Sequence, residues 1–167
     1  MKQIRIGGIM QSDGRSLIKI MSVPDHAGVA ATVIGSIGEM GVNIELLVQG
    51  FDLDDCGNFS LVIDQKDLGR TLGLLDKIKP TIDAKVITYT PDVAVITVFG
   101  HHLREKPHIH GAMFSAIATT GISVLAISTS LSSISCVVEG QYMASVSQTL
   151  VDAFESPAMI KERPKDY

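Results

Sequence analysis

The 167-residue chain has 14 basic and 18 acidic side chains, and its formal net charge is −4. Without a cluster of Lys and Arg, a nucleic-acid partner is not expected, because the phosphate backbone is bound by concentrated positive charge. Hydrophobic residues make up 46% of the chain and charged residues only 19%. Such a high proportion of hydrophobic residues in a short chain indicates an oligomer that buries part of its surface.

The cellular location follows from what the sequence does not contain. No apolar run reaches the roughly 18–20 residues that cross a bilayer, and residues 1–10 lack the apolar stretch of a signal peptide. We therefore expect a cytoplasmic protein with no membrane partner. Its two cysteines, Cys56 and Cys136, are expected to stay reduced rather than form a disulfide.

In chain order, the first half of the sequence predicts an extra strand followed by a β-α-β-β-α-β series. The strands are predicted at residues 4–9, 17–23, 42–48, 59–63 and 84–89, with a connecting loop at 11–16. Apolar residues at helical spacing predict helices at 29–40 and 67–78. Pro24 is expected to end a strand, Gly41 and Pro80 to stop the two helices, and Asp64 to cap the second.

The second half repeats this order after a junction at Pro91 and Asp92. It predicts a strand at residues 93–99, a loop at 100–108, helices at 109–119 and 142–154, and a hairpin at 122–138. Residues 27–50 align with 107–130 without a gap, and 59–63 align with 134–138.

The repeat predicts an α+β protein of two ferredoxin-like βαββαβ modules, each an antiparallel sheet with both helices on one face. The first module would span residues 1–90 with its extra N-terminal strand, and the second residues 91–155. Residues 156–167 are expected to form a loose, charged tail.

The local feature that most suggests binding is the turn from Val23 to Ala30, where a strand leads directly into a helix. Free N–H groups at a helix start attract anions, and Gly28 lets a ligand approach the main chain. The carboxylate of an amino acid fits such a place. Its ammonium group could be received by Asp25 or by the strand edge near Asn43 and Ile44, and Gln49 projects from the same strand. The alternative is an ordinary turn in which Asp25 caps the helix and binds nothing.

These residues also resemble a known family. The segment from Val23 to Gln49, containing Val-Pro-Asp, Gly-Val-Ala-Ala and Gly-Val-Asn-Ile-Glu, closely resembles the first ACT module of the aspartate kinase regulatory region. Residues 127–130 and 134–135 resemble the second, so that the likeness runs from about Gly7 to Phe154. In that family, tandem ACT modules bind lysine or threonine between two chains and inhibit the kinase.

The resemblance implies an effector-binding site in each module. In the first it implicates Asp25, Gly28, Val29, Ala30, Asn43, Ile44 and Gln49. The matching residues of the second are His110, Ser123, Val124 and Ser130.

Several positions depart from the family pattern, and most lie in the second module. His108 stands where the second loop usually has glycine, Ser123 replaces asparagine, and Leu131 replaces glutamate. In the first module, Ala27 replaces a proline and Asn58 an aspartate. The identity of the effector and the function of the second site are therefore open.

A histidine group forms the other candidate site, with members His101, His102, His108 and His110. Alternate residues of an extended segment could bind a metal, but polar loop histidines are the simpler interpretation. We expect no metal and no cofactor. The sequence has no phosphate-binding glycine loop or nucleophile elbow, so no catalytic residues are expected in this chain.

The resulting hypothesis is an allosteric regulatory protein resembling the small subunit of aspartate kinase. It would form a homodimer, bind a free amino acid such as lysine or threonine, and act on an aspartate kinase catalytic chain in feedback control. The alternative is a structural module that has lost its ligand and only stabilises a kinase subunit. A small metal-dependent hydrolase using the histidine loop is a third possibility.

Overall fold

The computed structural model of the chain describes residues 3–101, 103–156 and 160–163. The chain forms two compact units, each of which contains a sheet and two helices. The first unit is Gly14–Pro91, and the second unit combines Met1–Asp13 with Asp92–Tyr167. Residues 1–13, which the sequence-based division puts in the first module, are thus part of the second unit.

Along the described residues the strands are β1 (Ile4–Arg5), β2 (Gly8–Pro24), β3 (Ile44–Phe51), β4 (Cys56–Asp64), β5 (Val86–Phe99), β6 (Ala126–Thr129), β7 (Ser133–Glu139), β8 (Phe154–Glu155) and β9 (Ile160–Glu162). The α-helices are α1 (Val29–Glu39), α2 (Leu68–Ile82), α3 (Ile109–Ala118) and α4 (Met143–Ala153). Short 3₁₀ turns lie at Gln65–Asp67, Leu103–Glu105 and Gly140–Tyr142.

The first unit has the strand order β3-β4-β2-β5, with β4 antiparallel to both β2 and β3. Helices α1 and α2 pack together on one face of this sheet. Their buried residues Val33, Ile37 and Leu75 meet Ile18 and Phe59 of the strands. Burial of each such side chain contributes about 1.5–3 kcal/mol, so the apolar spacing of the sequence determines which face of each helix turns inward.

The second unit repeats this arrangement. Strand β7 pairs antiparallel with β5 and β6, and α3 and α4 cover one face. The N-terminal residues add to the same unit: β1 pairs with β8, and Ile9 of β2 lies opposite Ile160 of β9. The predicted ferredoxin-like α+β fold, with antiparallel sheets and helices on one face, is confirmed.

Two predicted interruptions of strands are wrong. Residues 11–16, predicted as a loop, continue β2, and Arg15 and Ser16 are buried there. The junction at Pro91 and Asp92 lies inside the single strand β5, although the two units do divide at this point. Both segments are polar in sequence. Arg15 and Ser16 belong to a strand because they pair with Asp64 and Ile63 of β4, far along the chain.

Two further predictions fail at chain ends and helix ends. Pro80 lies inside α2, and the helix continues to Ile82, whose burial holds the last turn against the core. In the tail predicted as loose, Ile160–Glu162 forms β9. Residues 156 and 163 of that tail lie in neither helix nor strand, and residues 157–159 and 164–167 lie outside the described residues. None of the helices in the described part of the chain is long and apolar enough to cross a membrane.

Candidate functional site

The turn that joins β2 to α1 is built around a glycine. β2 ends at Pro24, Asp25 to Gly28 are exposed, and Val29 begins the helix. Gly28 is the N-cap residue with φ 94° and ψ −11°, a left-handed conformation that other residues adopt at a cost. Among the described residues other than the chain neighbours Ala27 and Val29, no atom lies within 4 Å of the place where a Cβ on Gly28 would sit. The main chain is therefore open to an approaching ligand.

Two backbone N–H groups at the start of α1 remain available. Val29 donates to the carbonyl oxygen of His26 at 3.3 Å, and Thr32 donates to that of Gly28 at 2.8 Å. Ala30 and Ala31, which lie between them, have no acceptor for their N–H groups among the described residues. Two adjacent amides at the positive end of a helix can hold a carboxylate.

The capping role considered for Asp25 is not found, since no described side chain caps α1 and the N-cap is Gly28. Asp25 is instead exposed at the start of the turn. Its carboxylate is thus available to a positively charged group of a ligand.

Gln49 lies near the same turn because of the register of the sheet. It is opposite Phe59 on β4, and Gly57 of β4 pairs with Val23 at the end of β2. A Cβ on Gly57 would be 3.7 Å from Nε2 of Gln49 and 3.6 Å from the carbonyl oxygen of Val23. The structure therefore brings the Gln49 amide to the end of β2, where the turn begins.

Asn43 and Ile44 lie elsewhere in the unit. They follow the C-terminal end of α1, whose 11 residues separate its two ends by about 16 Å. Gln49 is likewise five residues from Ile44 along β3, or about 17 Å. Within one chain, the predicted residues of the first module thus form two groups, one at each end of α1.

Polar residues missed by the sequence analysis shape the end of β2. Ser22 has a φ of 53° in a β-bulge, and its N–H donates to Oδ1 of Asn58 at 2.7 Å. Its hydroxyl lies 3.2 Å from Oδ2 of Asp52. Asp52 also accepts the N–H groups of Asp54 at 2.9 Å and Cys56 at 3.0 Å. The two aspartates of the Asp52-x-Asp54 pattern could have predicted this turn, since aspartates commonly close such turns.

These bonds also affect the charge of the hairpin. The hydrogen bond from the N–H of Cys56 is the largest cause that lowers the pKa of Asp52 from its ordinary value of 3.8, and desolvation, the next largest effect, opposes it. The N–H of Asp54, the hydroxyl of Ser22 and the charge of Lys85 lower the pKa further. The carboxylate form is therefore the one that fits this turn.

In the second unit, the predicted residues also divide between the two ends of a helix. His110 is at the start of α3, where it and Gly111 have no backbone acceptor among the residues described. Ser123 and Val124 follow the end of α3. The hydroxyl of Ser130 accepts the N–H of Ser133 at 3.1 Å and bonds to the hydroxyl of Ser133 at 2.8 Å, so its role is to close the hairpin.

The helix start of the second unit differs from that of the first. His108, in place of Gly28, has a φ of −86° and an exposed side chain. Of the other histidines in the predicted group, His101 and His110 are exposed, and His102 lies outside the described residues. No group of three His, Cys, Asp or Glu side chains in the described ranges could hold a metal ion. Cys136 is a buried free thiol whose pKa burial raises to about 12.

Comparison with known proteins relates this arrangement to one family. Residues 96–154 match the family described as "ACT domain". Over 158 residues the chain is 28% identical to the aspartate kinase Ask_LysC of Stutzerimonas stutzeri, covering 95% of this chain and 38% of the relative. The chain spans about two fifths of the length of the curated relatives it matches.

Two solved structures share the fold. The regulatory subunit of aspartate kinase from Thermus thermophilus, in its ligand-free form, superposes with a TM-score of 0.82 at 24% identity, covering 90% of this chain and 99% of the other. E. coli aspartokinase III in complex with lysine and aspartate (T-state) gives a TM-score of 0.69 at 15% identity, covering 92% and 34%. The predicted resemblance is thus confirmed: residues 96–154 match the ACT domain, the chain is similar to aspartate kinases over about two fifths of their length, and it shares the fold of the aspartate kinase regulatory subunit.

Proposed function

We propose that the chain is an allosteric regulatory part of an aspartate kinase that binds a free amino acid and controls a catalytic chain. The observation that carries the proposal is the start of α1. There the left-handed Gly28 leaves open space, and the N–H groups of Ala30 and Ala31 have no acceptor among the described residues. A carboxylate placed on these amides would complete the first turn of the helix.

The groups around this turn suit the rest of an amino acid. Asp25 is exposed beside it and can receive an ammonium group, while the Gln49 amide can bond to a polar side chain. Lysine and threonine are the effectors we propose to test first. Lysine is present with E. coli aspartokinase III in the structure compared above.

The separation of the predicted residues supports a homodimer. Asn43 and Ile44 are about one helix length from Gly28, and a single amino acid cannot reach both. A ligand that contacts both groups would therefore have to lie between two copies of the chain, as a two-fold dimer allows. Binding across such an interface would favour one packing of the subunits, which is what regulation of a partner requires.

The test is calorimetric titration of the full chain with lysine, threonine and methionine. Replacing Gln49 by Leu should weaken binding about tenfold, because a hydrogen bond to the ligand is lost. The matched variant Gln148→Leu makes the same change on exposed α4 and should leave affinity unchanged. Sedimentation with the ligand should show a more stable dimer. No binding of any of the three at millimolar concentration by a folded dimer would contradict the proposal.

A structural role is a second candidate, and the second unit favours it. His108 replaces the open glycine, and the Ser130 hydroxyl is engaged in the hairpin. A chain with this role alone would co-purify with an aspartate kinase catalytic chain and leave its activity insensitive to added amino acids. Inhibition that appears on adding lysine or threonine would favour the regulatory role instead.

A further inference from the structure

The internal repeat makes it possible to compare the two units residue by residue beyond their hairpins. From β4 onward, a residue of the first unit corresponds to the residue 75 positions later. Asp64 and Glu139 both precede a 3₁₀ turn in extended conformation, with φ of −62° and −61°. Leu75 and Leu150 are both fully buried. By this correspondence, Arg70 of α2 matches Ser145 of α4.

In the first unit, Arg70 fills the space at the C-terminal end of α1. Its Nη1 donates to the carbonyl oxygen of Met40, the C-cap residue, at 3.0 Å. Its Nε and Nη2 lie 2.9 and 2.7 Å from Oδ1 of Asp67. A guanidinium group thus joins a helix end to a carboxylate.

In the second unit the same place is open. Ser145 is too short to reach across, Thr120 corresponds to Met40, and Tyr142 corresponds to Asp67. A cavity of about 250 Å³ lies there. It is lined by Thr120, Gly121, Ile122, Ser123, Glu139 and Tyr142.

Among the described residues, the acidic residue beside the cavity, Glu139, also lacks the basic neighbours that its counterpart Asp64 has in the first unit. Asp64 of the first unit lies 3.4 Å from Arg15 Nη1 and 3.7 Å from Lys66 Nζ. The corresponding neighbours of Glu139 are uncharged: Val93 pairs with it in the sheet, and Gln141 donates to it at 2.8 Å.

Two sources of negative potential therefore lie at this cavity. Within the part of the chain that the structure describes, Glu139 has no ion pair. The carbonyl end of α3 adds the negative pole of a helix dipole beside it.

We propose that this cavity binds the guanidinium or primary ammonium group of a small molecule. Glu139 and the main-chain carbonyl of Thr120 would hold the group, as Asp67 and the carbonyl of Met40 hold the Arg70 side chain. The hydroxyls of Ser123 and Tyr142 are available to the remainder of the ligand. This cavity lies in the second unit, whereas the open amides of α1 and the Gln49 amide, on which the amino-acid proposal rests, lie in the first. Of the lining residues, Ser123 is also one that the family resemblance implicates in an effector site of the second module.

The first experiment follows backbone amide signals of the full chain by NMR during titration with methylguanidinium and, separately, methylammonium. Saturable shifts are expected at residues 120–123 and 139–142, with dissociation constants in the millimolar range typical of one exposed charge contact. Tetramethylammonium has no N–H donor and should not produce them. Equal shifts from all three cations, or none from the first two, would overturn the proposal.

Variants locate the site. Glu139→Gln should weaken methylguanidinium binding about fivefold or more, since a charge-assisted bond is lost. Ser145→Arg should abolish it by filling the cavity from within the chain. Asp76→Asn removes an exposed carboxylate of the first unit and should have no effect. Unchanged binding in Glu139→Gln would refute the site, whereas shifts at residues 28–31 with lysine report only on the separate amino-acid site.

The reciprocal variant tests the underlying comparison. Arg70→Ser should open an equivalent place in the first unit and lower stability. Methylguanidinium should then restore part of that stability and shift the signals of residues 40–43 as well. Failure of this rescue in a folded Arg70→Ser protein would mean that the two helix ends are not chemically equivalent, and the argument for the second-unit cavity would fail with it.

Discussion

The two units share one scaffold and differ at its polar positions. Val33 and Met113, Ile37 and Ile117, and other pairs of apolar residues are buried in matching places. At the helix start, in contrast, Gly28 of the first unit stands against His108 of the second. At the helix end, the guanidinium group of Arg70 in the first unit corresponds to a cavity in the second. The difference indicates that core packing constrains the apolar positions, while the polar residues at the helix ends are free to differ between the units.

The sharpest difference concerns a buried ion pair. Arg15 donates to Glu45, and their side chains are only 6% and 9% exposed. Because β2 and β5 pair in the same way with β4 and β7, the corresponding residue for Arg15 is Val93. The gapless repeat puts Leu125 in the place of Glu45. The second unit thus has apolar residues at both of the corresponding positions.

The largest predicted effect comes from breaking this pair. Arg15→Met alone leaves the Glu45 carboxylate without its arginine and should lower the free energy of unfolding by about 3 kcal/mol. Arg15→Met combined with Glu45→Leu imitates the second unit and should recover most of that loss. Urea unfolding of the two variants measures the difference. A double variant as unstable as the single one would show that the units are not interchangeable here.

A close backbone contact distinguishes the second unit. A Cβ on Gly100 would lie 2.7 Å from the backbone N of Gly7, and Gly7 donates to the carbonyl oxygen of Phe99 at 2.8 Å. Gly100→Ala should therefore cost about 2 kcal/mol through a forced backbone shift. The matched variant is Gly35→Ala in α1, where an added Cβ would meet no atom of the described residues within 4 Å apart from the chain neighbours and the helix's own backbone. It should be neutral or stabilising. Urea midpoints that fall equally for both would refute the contact.

How far the sequence predicts these features depends on the range of the interaction. The helical spacing of Val29, Val33 and Ile37 is local, and it predicts α1 to within one residue. Arg15 is a polar residue in a polar segment, and only its pairing with Asp64, 49 residues away, makes it part of a strand. Pro80 removes one helix bond, but the burial of Ile82 outweighs that loss.

The candidate sites follow the same rule. Gly28 and its neighbours in the turn are adjacent in sequence, so their pattern could be seen directly. The separation of Asn43 from Gly28 requires the length and direction of α1. The second-unit cavity depends on two separate segments and on a side chain, Arg70, that the repeat contains only once.

A smaller effect is predicted at the two helix starts. Gly28→Ala forces an alanine to a φ of 94° and should cost about 1 kcal/mol. His108→Ala, at a φ of −86°, should change stability by no more than about 0.5 kcal/mol. Thermal and urea unfolding of both variants compare the two turns directly. If Gly28→Ala is as stable as the parent, the open left-handed turn is not a rigid feature of the first unit.

The smallest effect separates the two hairpins by their response to pH. Asp52 Oδ1 accepts two N–H groups in the first hairpin, and Ser130 Oγ accepts two in the second. Because the folded pKa of Asp52 is below the ordinary value of 3.8, its stabilisation is complete above that value and is lost as pH falls through the folded pKa. The stability difference between the parent and Asp52→Asn should therefore shrink at pH below 3.8. The difference for Ser130→Ala should stay constant, because a hydroxyl does not titrate in this range. Urea midpoints of both variants measured across this pH interval make the comparison. Parallel pH profiles for the two variants would show that the Asp52 carboxylate does not stabilise the first hairpin.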